Sequence, residues 1–326
     1  MVLTSPTQRA DNLSPGIHIP RRLTDKLGEL MSPTVSFEYF PPKTEAGLQN
    51  LHSRIHSMTN MKPAWIDVTF GAGGSTSERT LEICSTAVLK YGVDVMIHLT
   101  CTNMKRSDID AVLSKIHAAG IRNILALRGD PPANAIEWIQ CEGGFSHAVD
   151  LVRYIRATYG DYFCIGVAGY PEGHTDCESF DTDLMHLKEK VDAGADMVIT
   201  QLFYDNALFF HFLDKARDIG ITCPIVPGVM PIMTFGGFQR MTEMCKTFVP
   251  EEVRCALDLI KDNEVEVKKF GVKLASSMCA GLLKSGRVIG VHLYTMNQEE
   301  SVREIVRSVS HLCGETHTEW LRTEGA

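Results

Sequence analysis

FDTDLMHLKEKVDAGADMVITQLF, the stretch from Phe180 to Phe203, joins a helical pattern to a strand pattern through a glycine. Its first half places apolar side chains on one helix face, at Phe180, Leu184, Leu187 and Val191. Gly194 is the residue type that most often ends a helix. The apolar, β-branched run DMVITQLF that follows is typical of a buried strand. The stretch therefore predicts one helix–strand unit of an α/β protein.

Strand patterns of this kind occur eight times along the chain, with helical patterns between them. In order they are TVSFEYF, WIDVTF, DVMIHLTC, NILALRG, CIGVAGY, DMVITQLF, PIVPGVM and VIGVHLYT. One helical pattern covers residues 301–315, with one apolar face formed by Val302, Ile305, Val306, Val309 and Leu312. Eight strands alternating with helices over roughly 250 residues predict a (β/α)8 barrel, the TIM-barrel fold. The alternative is a doubly wound open sheet, but no G-x-G-x-x-G lies at a strand–helix turn, which disfavours its usual dinucleotide-binding form.

Composition and charge are those of an ordinary globular protein. The 326 residues are 44% hydrophobic and 22% charged, and no linker or low-complexity stretch divides them. The formal net charge of -8 argues against a nucleic-acid partner. No apolar segment approaches the ~20 residues that span a bilayer, so we expect no membrane partner. We predict a polar lead-in over residues 1–30, compatible with flexibility, and a single barrel domain over residues 31–326.

Cysteine usage and the N-terminal sequence indicate a cytoplasmic protein. The ten cysteines are scattered through predicted strands and helices, and no C-x-x-C pair occurs among them. This pattern is typical of buried, reduced thiols and not of disulfides or a zinc site. The first residues contain no apolar segment of the secretory type.

A barrel predicts where the chemistry lies, because active sites in this fold form at the C-terminal ends of the strands. Polar residues collect at those ends and not at the strand starts: Glu38, Thr69, His98, Asn103, Arg128, Asp130, Tyr170, His174, Gln201 and Tyr294. Glu38 lies near the strand end in SFEYFPPK (36–43), on the same face as Ser36. That stretch alone also fits an edge strand with Glu38 in water. The asymmetry between strand ends and strand starts favours an active-site position for Glu38.

Three other features each allow two interpretations. Gly71–Ser75 fits a nest that binds phosphate at the start of a helix, or more simply a strand–helix turn. His98 lies inside an apolar strand, where a hydrogen-bonded core histidine is more common than a catalyst. No acid or cysteine stands near it at ligand spacing, so we predict no metal. Arg128-Gly129-Asp130 suits binding of a large polar ligand at a strand end, or a local ion pair.

A polar stripe runs along the helix predicted within 178–193. Asp183, His186 and Lys190 stand at i, i+3 and i+7, beside the apolar stripe of the same helix. Side chains that flank an apolar face are half-buried and can reach a ligand over the barrel mouth. Ordinary surface charge is the alternative interpretation.

An ordered set of motifs resembles one known family. The motifs are SFEYFPPK, DVTFGAGG, HLTCTN, NILALRGDPP, VAGYPEGH, DLMHLKEKVDAGADMVITQLFYD, PIVPGVMPI and HLYTMN. In this order, from about residue 33 to the end, they resemble the catalytic domain of methylenetetrahydrofolate reductase. Each motif alone is weakly specific, whereas the ordered set is highly specific.

The resemblance implies a (β/α)8 flavoprotein of one-carbon and methionine metabolism. Such an enzyme holds FAD at the C-terminal face of the barrel and reduces 5,10-methylenetetrahydrofolate to 5-methyltetrahydrofolate with NADH or NADPH. It thus implies an oxidoreductase with a folate and a nicotinamide nucleotide as partners, and we also expect a homo-oligomer. A ping-pong cycle is the natural kinetic form if both substrates stack on the same face of the flavin.

Carried over residue by residue, the resemblance implies that Glu38 is the general acid and that Asp130 lies beside the flavin and pterin rings. The residues implied to contact FAD are Thr69, His98, Arg128, Gly129, Asp130, Ala148, Tyr170, His174, Asp183 and Lys190. Gln201 and Phe235 are implied to line the shared folate and nicotinamide site with Glu38, Phe235 by stacking. A general acid here must keep a proton at neutral pH, so we expect apolar surroundings for it, supplied by the flavin ring and Phe235.

Departures from the family pattern bear on these assignments. Gln298 stands where the family's YTLN-Arg motif has an arginine, so a cation that could hold the glutamate tail of folate is absent from that position. His186 and Glu189 stand where bacterial members carry Asn and Arg, so they are left out of the predicted site. The sequence ends just after the eighth strand and its helix, so we expect no C-terminal regulatory domain that binds S-adenosylmethionine.

Two other functions fit a barrel of this kind. One is a folate- or pterin-binding barrel without flavin, such as a methyltransferase, which would purify without flavin absorbance. The other is a catalytically silent subunit. The joint presence of Glu38, Asp130 and Gln201 argues against silence, because a silent subunit need not keep them.

Overall fold

Parallel strands and helices alternate along the chain in the computed structural model, which describes residues 18–71, 76–130, 140–314 and 319–322. The strands are β1 (Thr34–Tyr39), β2 (Ile66–Val68), β3 (Val95–Thr100), β4 (Asn123–Leu127), β5 (Cys164–Gly169), β6 (Met197–Thr200), β7 (Ile225–Val226), β8 (Gly228–Val229) and β9 (Gly290–Tyr294). All of their pairings are parallel. Around the sheet they follow the order β7-β6-β5-β4-β3-β2-β1-β9-β8.

Helices pack around this sheet. In chain order they are α1 (Leu23–Gly28), α2 (Glu45–Thr59), α3 (Ser77–Tyr91), α4 (Arg106–Ala118), α5 (Ala148–Tyr159), α6 (Phe180–Asp192), α7 (Asn206–Asp218), α8 (Phe235–Cys245), α9 (Glu251–Ile260), α10 (Glu264–Lys284) and α11 (Glu299–Val309). The helix predicted within 178–193 is confirmed as α6, which begins after Ser179, whose hydroxyl accepts a hydrogen bond from the Thr182 N–H. The helix predicted over 301–315 is confirmed as α11, but it ends at Val309. A 3-10 turn, Ser310–Leu312, continues it and packs Leu312 against the core.

The seventh strand position consists of two short strands, β7 and β8, separated by Pro227. β7 pairs with β6 and β8 pairs with β9, so the two halves close the sheet into a barrel. Pro227 has no N–H to donate to a ladder, which explains the break. Its carbonyl instead accepts a 2.9 Å hydrogen bond from the N–H of His292 in β9. The predicted (β/α)8 barrel is confirmed. The predicted strand PIVPGVM is divided into β7 and β8 at the point where the pairing partner changes from β6 to β9.

Gly228 permits this closure because neighbouring atoms leave no room for a side chain. A Cβ on Gly228 would lie 2.3 Å from the carbonyl oxygen of Thr200 and 2.6 Å from the ring of Tyr294. The Gly228 N–H also donates a 3.0 Å hydrogen bond to Thr200 Oγ1. The close approach of β8 to its neighbours therefore depends on glycine at this position.

Alternation along the strands separates two environments. In β1, Val35, Phe37 and Tyr39 face the helices and belong to the main apolar core. Ser36 and Glu38 face the barrel axis, where both lie beside side chains of β9. The alternation predicted for SFEYFPPK is thus confirmed, and it places Glu38 inside the barrel.

The N-terminal end of the barrel is closed by α1. Leu23 and Leu27 are buried in a second apolar cluster, which also contains Ala64, Trp65, Met96, Leu125, Cys164, Met197, Ile199 and Val226. The Leu23 N–H donates a 2.7 Å hydrogen bond to Oδ1 of Asn123 in β4. At the same end, the buried Asp94 carboxylate pairs with the Lys26 amine at 2.7 Å. Access to the barrel interior is therefore left to the C-terminal ends of the strands.

Residues 1–17, most of the predicted lead-in, lie outside the described residues, and α1 lies in its remainder. No helix in the described part of the chain is long and apolar enough to cross a membrane. The ten cysteines, all within the described ranges, are free thiols. The sequence pattern predicted buried thiols throughout, and five of the ten are buried: Cys84, Cys101, Cys164, Cys279 and Cys313. Cys255, in contrast, is exposed.

Gly228→Ala should lower the free energy of unfolding by about 3 kcal/mol, because the added methyl group meets backbone and a packed ring. Gly236→Ala, in α8, is the matched control. Nothing lies within 4 Å of a Cβ on Gly236, and alanine stabilises a helix relative to glycine by up to about 1 kcal/mol. Chemical denaturation of both variants measures the difference. Equal stabilities would contradict the role of Gly228 in barrel closure.

Candidate active site

The C-terminal ends of the barrel strands surround a cavity of about 380 Å³, here called the mouth cavity. Nine of the predicted site residues line it: Glu38, Thr69, His98, Arg128, Gly129, Asp130, Tyr170, His174 and Gln201. They come from β1, β3 and the segments that follow β2, β4, β5 and β6. The barrel thus brings together groups that are far apart in the sequence, at the end of the fold where the strand ends predict them.

A second cavity, of about 290 Å³, adjoins the mouth cavity beside α6 and is here called the side cavity. Five residues line both cavities and form their common wall: Leu127, Arg128, Ala168, Tyr170 and His174. The other predicted FAD-contact residues line the side cavity, namely Ala148, Asp183 and Lys190. His186 and Glu189, which are not among the predicted site residues, line it as well. The two cavities form one groove that leads from the barrel axis to α6.

Phe235 is the one predicted site residue that lines neither cavity. It is the first residue of α8, follows the capping residue Thr234, and is half-buried against the core. Its ring centroid lies 6.4 Å from that of Phe238. Its assignment to the substrate site stays a prediction.

At the floor of the mouth cavity, two carboxyl groups face two imidazoles. Glu38 Oε2 lies 3.5 Å from His98 Nε2 and 3.9 Å from His292 Nε2. Asp67 Oδ2 lies 3.4 Å and 3.8 Å from the same two nitrogen atoms. These four residues are called the acid–imidazole cluster below. The Glu38 side chain is 20% exposed, whereas those of Asp67 and His292 are completely buried.

His98 connects the two acids of the cluster. Burial lowers the pKa of its imidazole, but the hydrogen bond to Asp67 and the charges of Glu38 and Asp67 outweigh burial and raise the pKa above its ordinary value. Both acidic partners of His98 come from other strands, Glu38 from β1 and Asp67 from β2. His98 is hydrogen-bonded in the core, as the sequence pattern alone favours, and the two acids stabilise the charged form of its ring.

His292 is held in place by two contacts. Its Nδ1 lies 2.8 Å from Ser36 Oγ. Its ring stacks on that of Trp65, with the centroids 6.0 Å apart and the planes inclined by 10°. Its other nitrogen, Nε2, therefore points to the carboxyl groups of Glu38 and Asp67.

Asp67 and His292 are absent from the residues predicted from the sequence, although a signal for them exists. Each is a polar residue inside an apolar strand pattern, and each stands two positions before a polar strand-end residue, Thr69 or Tyr294. Side chains two positions apart share one face of a strand. Both residues can therefore be identified from the sequence by stepping back two positions from Thr69 and from Tyr294.

The rim of the mouth cavity is formed where β4 ends. Arg128 donates a 2.8 Å hydrogen bond to the carboxylate of Asp176, in the loop after β5, so the ion pair joins two loops. Gly129 has a φ of +87°, and a Cβ there would lie 2.7 Å from Thr102 Oγ1, so glycine is required. Asp130 is exposed at the edge of the cavity.

An amine and a carboxyl group of α6 face the side cavity. Lys190 Nζ donates a 2.7 Å hydrogen bond to the Ala168 carbonyl. Burial lowers the pKa of the Lys190 amine to about 8, although the Asp183 carboxylate acts in the opposite direction. Asp183 is buried and accepts a 3.6 Å hydrogen bond from the Cys177 thiol. At neutral pH the Lys190 amine is therefore mostly charged, and the polar stripe predicted on this helix lines a cavity.

Metal-ligand spacing occurs in two groups among the described residues: Glu38, Asp67 and His98 of the acid–imidazole cluster, and Cys177, Asp183 and His186 beside the side cavity. Donor atoms of Cys177, Asp183 and His186 lie within 4.8 Å of one another. The Cys177 thiol donates a 3.6 Å hydrogen bond to Asp183, and its sulfur also lies 3.6 Å from His186 Nδ1; these contacts account for the grouping. The prediction that the chain binds no metal stays a prediction. Of the candidate phosphate nest at 71–75, all but Gly71 lies outside the described residues.

The side-cavity end of the groove combines two cations with the acids Asp176, Asp183 and Glu189. Arg128 and Lys190 both line this cavity, and α5 begins there at Ala148. Helix N-termini carry partial positive charge and unpaired N–H groups, so they bind phosphates. The floor of the mouth cavity offers proton donors and acceptors instead. The groove therefore suits an elongated ligand with a phosphate-bearing part near α6 and a reacting part over Glu38.

A family model described as methylenetetrahydrofolate reductase matches residues 22–310. Methylenetetrahydrofolate reductase (NADH) 1 of Zea mays is 51% identical over 84% of this chain and 48% of its own length. Methylenetetrahydrofolate reductase 2 of Saccharomyces cerevisiae is 43% identical over 89% of this chain and 50% of its own length. The 5,10-methylenetetrahydrofolate reductase of Pectobacterium carotovorum subsp. carotovorum is 36% identical over 85% of this chain and 91% of its own length. This chain spans about half the length of the plant and yeast relatives, and the family predicted from the motifs is confirmed.

Among solved structures, one of an uncharacterised protein from Clostridium thermocellum, which binds two copies of 5-methyl-5,6,7,8-tetrahydrofolic acid, matches with a TM-score of 0.61. The match covers 88% of this chain and 97% of that chain at 14% sequence identity. At this level of identity the similarity concerns the fold alone, and it agrees with the closed barrel.

The pKa of Lys190 gives a pH-dependent difference in stability between the parent and Lys190→Met. An unfolded lysine has a pKa of about 10.4, whereas that of Lys190 in the folded protein is about 8. Between these values the unfolded chain binds a proton that the folded protein has lost, so the parent gains stability relative to Lys190→Met as the pH rises from about 8 to about 10. Urea denaturation of the ligand-free proteins measures this change, with Lys188→Met, which lines neither cavity, as the control. A parent–variant difference that is constant with pH would show that Lys190 does not titrate in this range.

Proposed function

This chain belongs to the methylenetetrahydrofolate reductase family, and we propose on that premise that its barrel reduces 5,10-methylenetetrahydrofolate to 5-methyltetrahydrofolate. We further propose NADH or NADPH as the reductant, in line with the names of its relatives, and FAD as the bound cofactor. The observation that carries this proposal is the position of Glu38. Its carboxyl group lies at the floor of the mouth cavity, accessible to a ligand on one side and backed by His98 and His292 on the other.

The groove fits a dinucleotide cofactor with a charged centre. Arg128, Lys190 and the start of α5 at Ala148 supply positive potential for its phosphates. Asp183, on the wall of the same cavity, offers a carboxyl group to hydroxyl donors of the cofactor. The residues of the mouth cavity that we assign to the flavin end are Thr69, His98, Gly129, Asp130, Tyr170 and His174.

When bound, FAD supplies the hydride transfer, accepting hydride from the nicotinamide and giving it to the methylene carbon of the folate. We assign both substrates to the mouth cavity, so a ping-pong cycle follows, in which the oxidised nicotinamide leaves before the folate binds. Gln201 lines this cavity as a hydrogen-bonding group, and Phe235 is the proposed stacking partner of the substrate rings. Asp130 adds negative charge at the rim, which favours a cationic form of the folate.

Glu38 is the proposed general acid. The five-membered ring of the folate must open to an N5 iminium before it can accept hydride, and opening requires a proton on the leaving nitrogen, N10. Of the two acids in the acid–imidazole cluster, Glu38 is accessible from the cavity and Asp67 is completely buried. Proton delivery therefore falls to Glu38.

Glu38→Gln should separate the two half-reactions. Hydride transfer from NAD(P)H needs no general acid, so this variant should still bleach the flavin at a rate within about tenfold of the parent. Reoxidation of the reduced flavin by methylenetetrahydrofolate should slow by ~10²–10⁴-fold, or roughly 3–5.5 kcal/mol of barrier, because the proton donor is missing. Stopped-flow absorbance of the flavin measures both rates.

Menadione is the control for the second half-reaction, since a quinone should reoxidise the flavin of Glu38→Gln at the parental rate. A purely structural role of Glu38 would instead lower the flavin content or slow both half-reactions together. Reduction of methylenetetrahydrofolate by Glu38→Gln at a near-parental rate would rule out Glu38 as the acid.

Asp183→Ala and Lys190→Ala should yield folded protein depleted of flavin, each losing about 1–3 kcal/mol of charge-assisted binding. Asp181→Ala and Lys188→Ala are matched controls, because both residues belong to α6 and line neither cavity. The ratio of flavin to protein absorbance after gel filtration measures retention. Full flavin content in both cavity variants would contradict the assignment of α6 to the cofactor. A parent protein without flavin absorbance would favour a flavin-independent folate barrel.

A further inference from the structure

We propose that Asp67 is a positioning residue that keeps a proton available to Glu38, acting through the imidazoles of His98 and His292. The proposal rests on the proposed function, because it concerns the proton that Glu38 delivers to the folate. The Asp67 side chain is completely buried and cannot contact a substrate, so it can act only through its neighbours.

The geometry of the acid–imidazole cluster requires a shared proton. Each Nε2 atom of His98 and His292 lies between 3.4 and 3.9 Å from an oxygen of Glu38 and from an oxygen of Asp67. A bare nitrogen lone pair in this position would face two carboxylates, which is unfavourable. Either a ring nitrogen carries the hydrogen, or a carboxyl group carries it and donates to the ring. In the His98–Asp67 pair, which is the hydrogen bond among these contacts, a proton is in both cases held between an imidazole and an acid.

The register of the strands makes this proton necessary. Glu38 in β1 is the direct partner of Asp67 in β2, so two acids stand side by side on the inward face of the barrel. Like charges in such a pair are destabilising unless a proton or a cation lies between them. The imidazoles of His98 and His292 occupy that position.

Asp67 depends on these imidazoles for charge compensation. Its side chain has no exposed surface, and among the described residues its Oδ1 has no hydrogen-bond donor. A buried carboxylate without a cationic partner is strongly unfavourable. The titratable groups that face it, from β1, α3, β3 and β9, are Glu38, Cys84, His98, His292 and Tyr294. Of these, only the imidazoles can carry positive charge, and the raised pKa of His98 agrees with this requirement.

Ser36 leaves Nε2 of His292 free for the proton exchange. Its Oγ lies 3.4 Å from the Val291 carbonyl and 2.8 Å from His292 Nδ1. A hydroxyl that donates to the carbonyl accepts a hydrogen bond from Nδ1–H. The Nε2 atom of His292 then faces the carboxyl groups of Glu38 and Asp67, at 3.9 and 3.8 Å.

The negative charge of Asp67 affects the step that follows proton delivery. Once Glu38 has given its proton to N10, its carboxylate stands beside that of Asp67, and a protonated imidazole between them offsets the repulsion. The Nε2 proton then passes to Glu38, and solvent in the mouth cavity restores the proton on the ring. A fixed anion at Asp67 raises the proton affinity of the cluster as a whole, so the cluster should lose its transferable proton at a lower pH when that charge is removed.

Asp67→Asn tests this role because it keeps the side-chain shape and removes the charge. The alkaline limb of the folate half-reaction should move to lower pH by about one unit, and its rate at pH 8 should fall by about tenfold. Flavin reduction by NAD(P)H should change by less than about threefold, since it needs no proton from the cluster. Asp94→Asn is the matched control, because Asp94 is also a buried aspartate with a lysine and a histidine partner, at the opposite end of the barrel. Its pH profile should match that of the parent.

A measurement on the parent protein covers the case in which Asp67→Asn does not fold. Ring ¹⁵N chemical shifts of the full chain, with His98→Gln used to assign the signal, should show His98 still charged above its ordinary pKa of ~6.5. Two neutral rings at pH 7 in the parent would overturn the proposal, as would an unshifted alkaline limb in folded Asp67→Asn. A parent that reduces no folate would instead refute the proposed function, and the ring titration would still decide whether Asp67 holds a charged imidazole.

Discussion

Closure of the parallel barrel is the constraint on which the site depends. The two halves of the seventh strand position bind different neighbours, β6 on one side and β9 on the other, and so complete the ring. An open sheet of the same strands would leave Gln201, after β6, far from Glu38 in β1. In the closed ring both line one cavity. A break at Pro227 and a glycine at 228 therefore determine whether residues from opposite ends of the sheet can act on one ligand.

The closed barrel also buries a carboxylate at each end, and each carboxylate is compensated by neighbouring basic side chains. At the N-terminal end, Asp94 is buried between the Lys26 amine and the His18 ring, and α1 covers the pair. At the C-terminal end, Asp67 is buried beside two imidazoles, and the cavity above them stays open. Buried acids are tolerated only with such partners. The two sites thus contain similar residue types and differ in whether a cavity connects them to solvent.

The barrel could be predicted from the sequence because strand and helix periodicities are local properties. The strand-end residues of the mouth cavity followed from the fold class. In the side cavity, Asp183 and Lys190 were indicated by the polar stripe of their helix. Ala148 came only from the family resemblance, since nothing local distinguishes the first residue of its helix. Asp67 could not be recognised in the same way, because its significance depends on register: it becomes notable only when Glu38 is known to stand beside it. Phe235 illustrates another limit, because a stacking role concerns a ligand and not the packing of the chain.

The helix that closes the N-terminal end of the barrel has a consequence for the order of folding. The hydrogen bond from the Leu23 N–H to Asn123 spans 100 residues of sequence. A contact of such separation carries a large loop-closure cost and can form only after β4 has paired with its neighbours. During synthesis on the ribosome, α1 emerges before β1 to β4, and Leu23 and Leu27 stay in contact with solvent while these four strands are made. The first helix among the described residues is therefore among the last elements to dock.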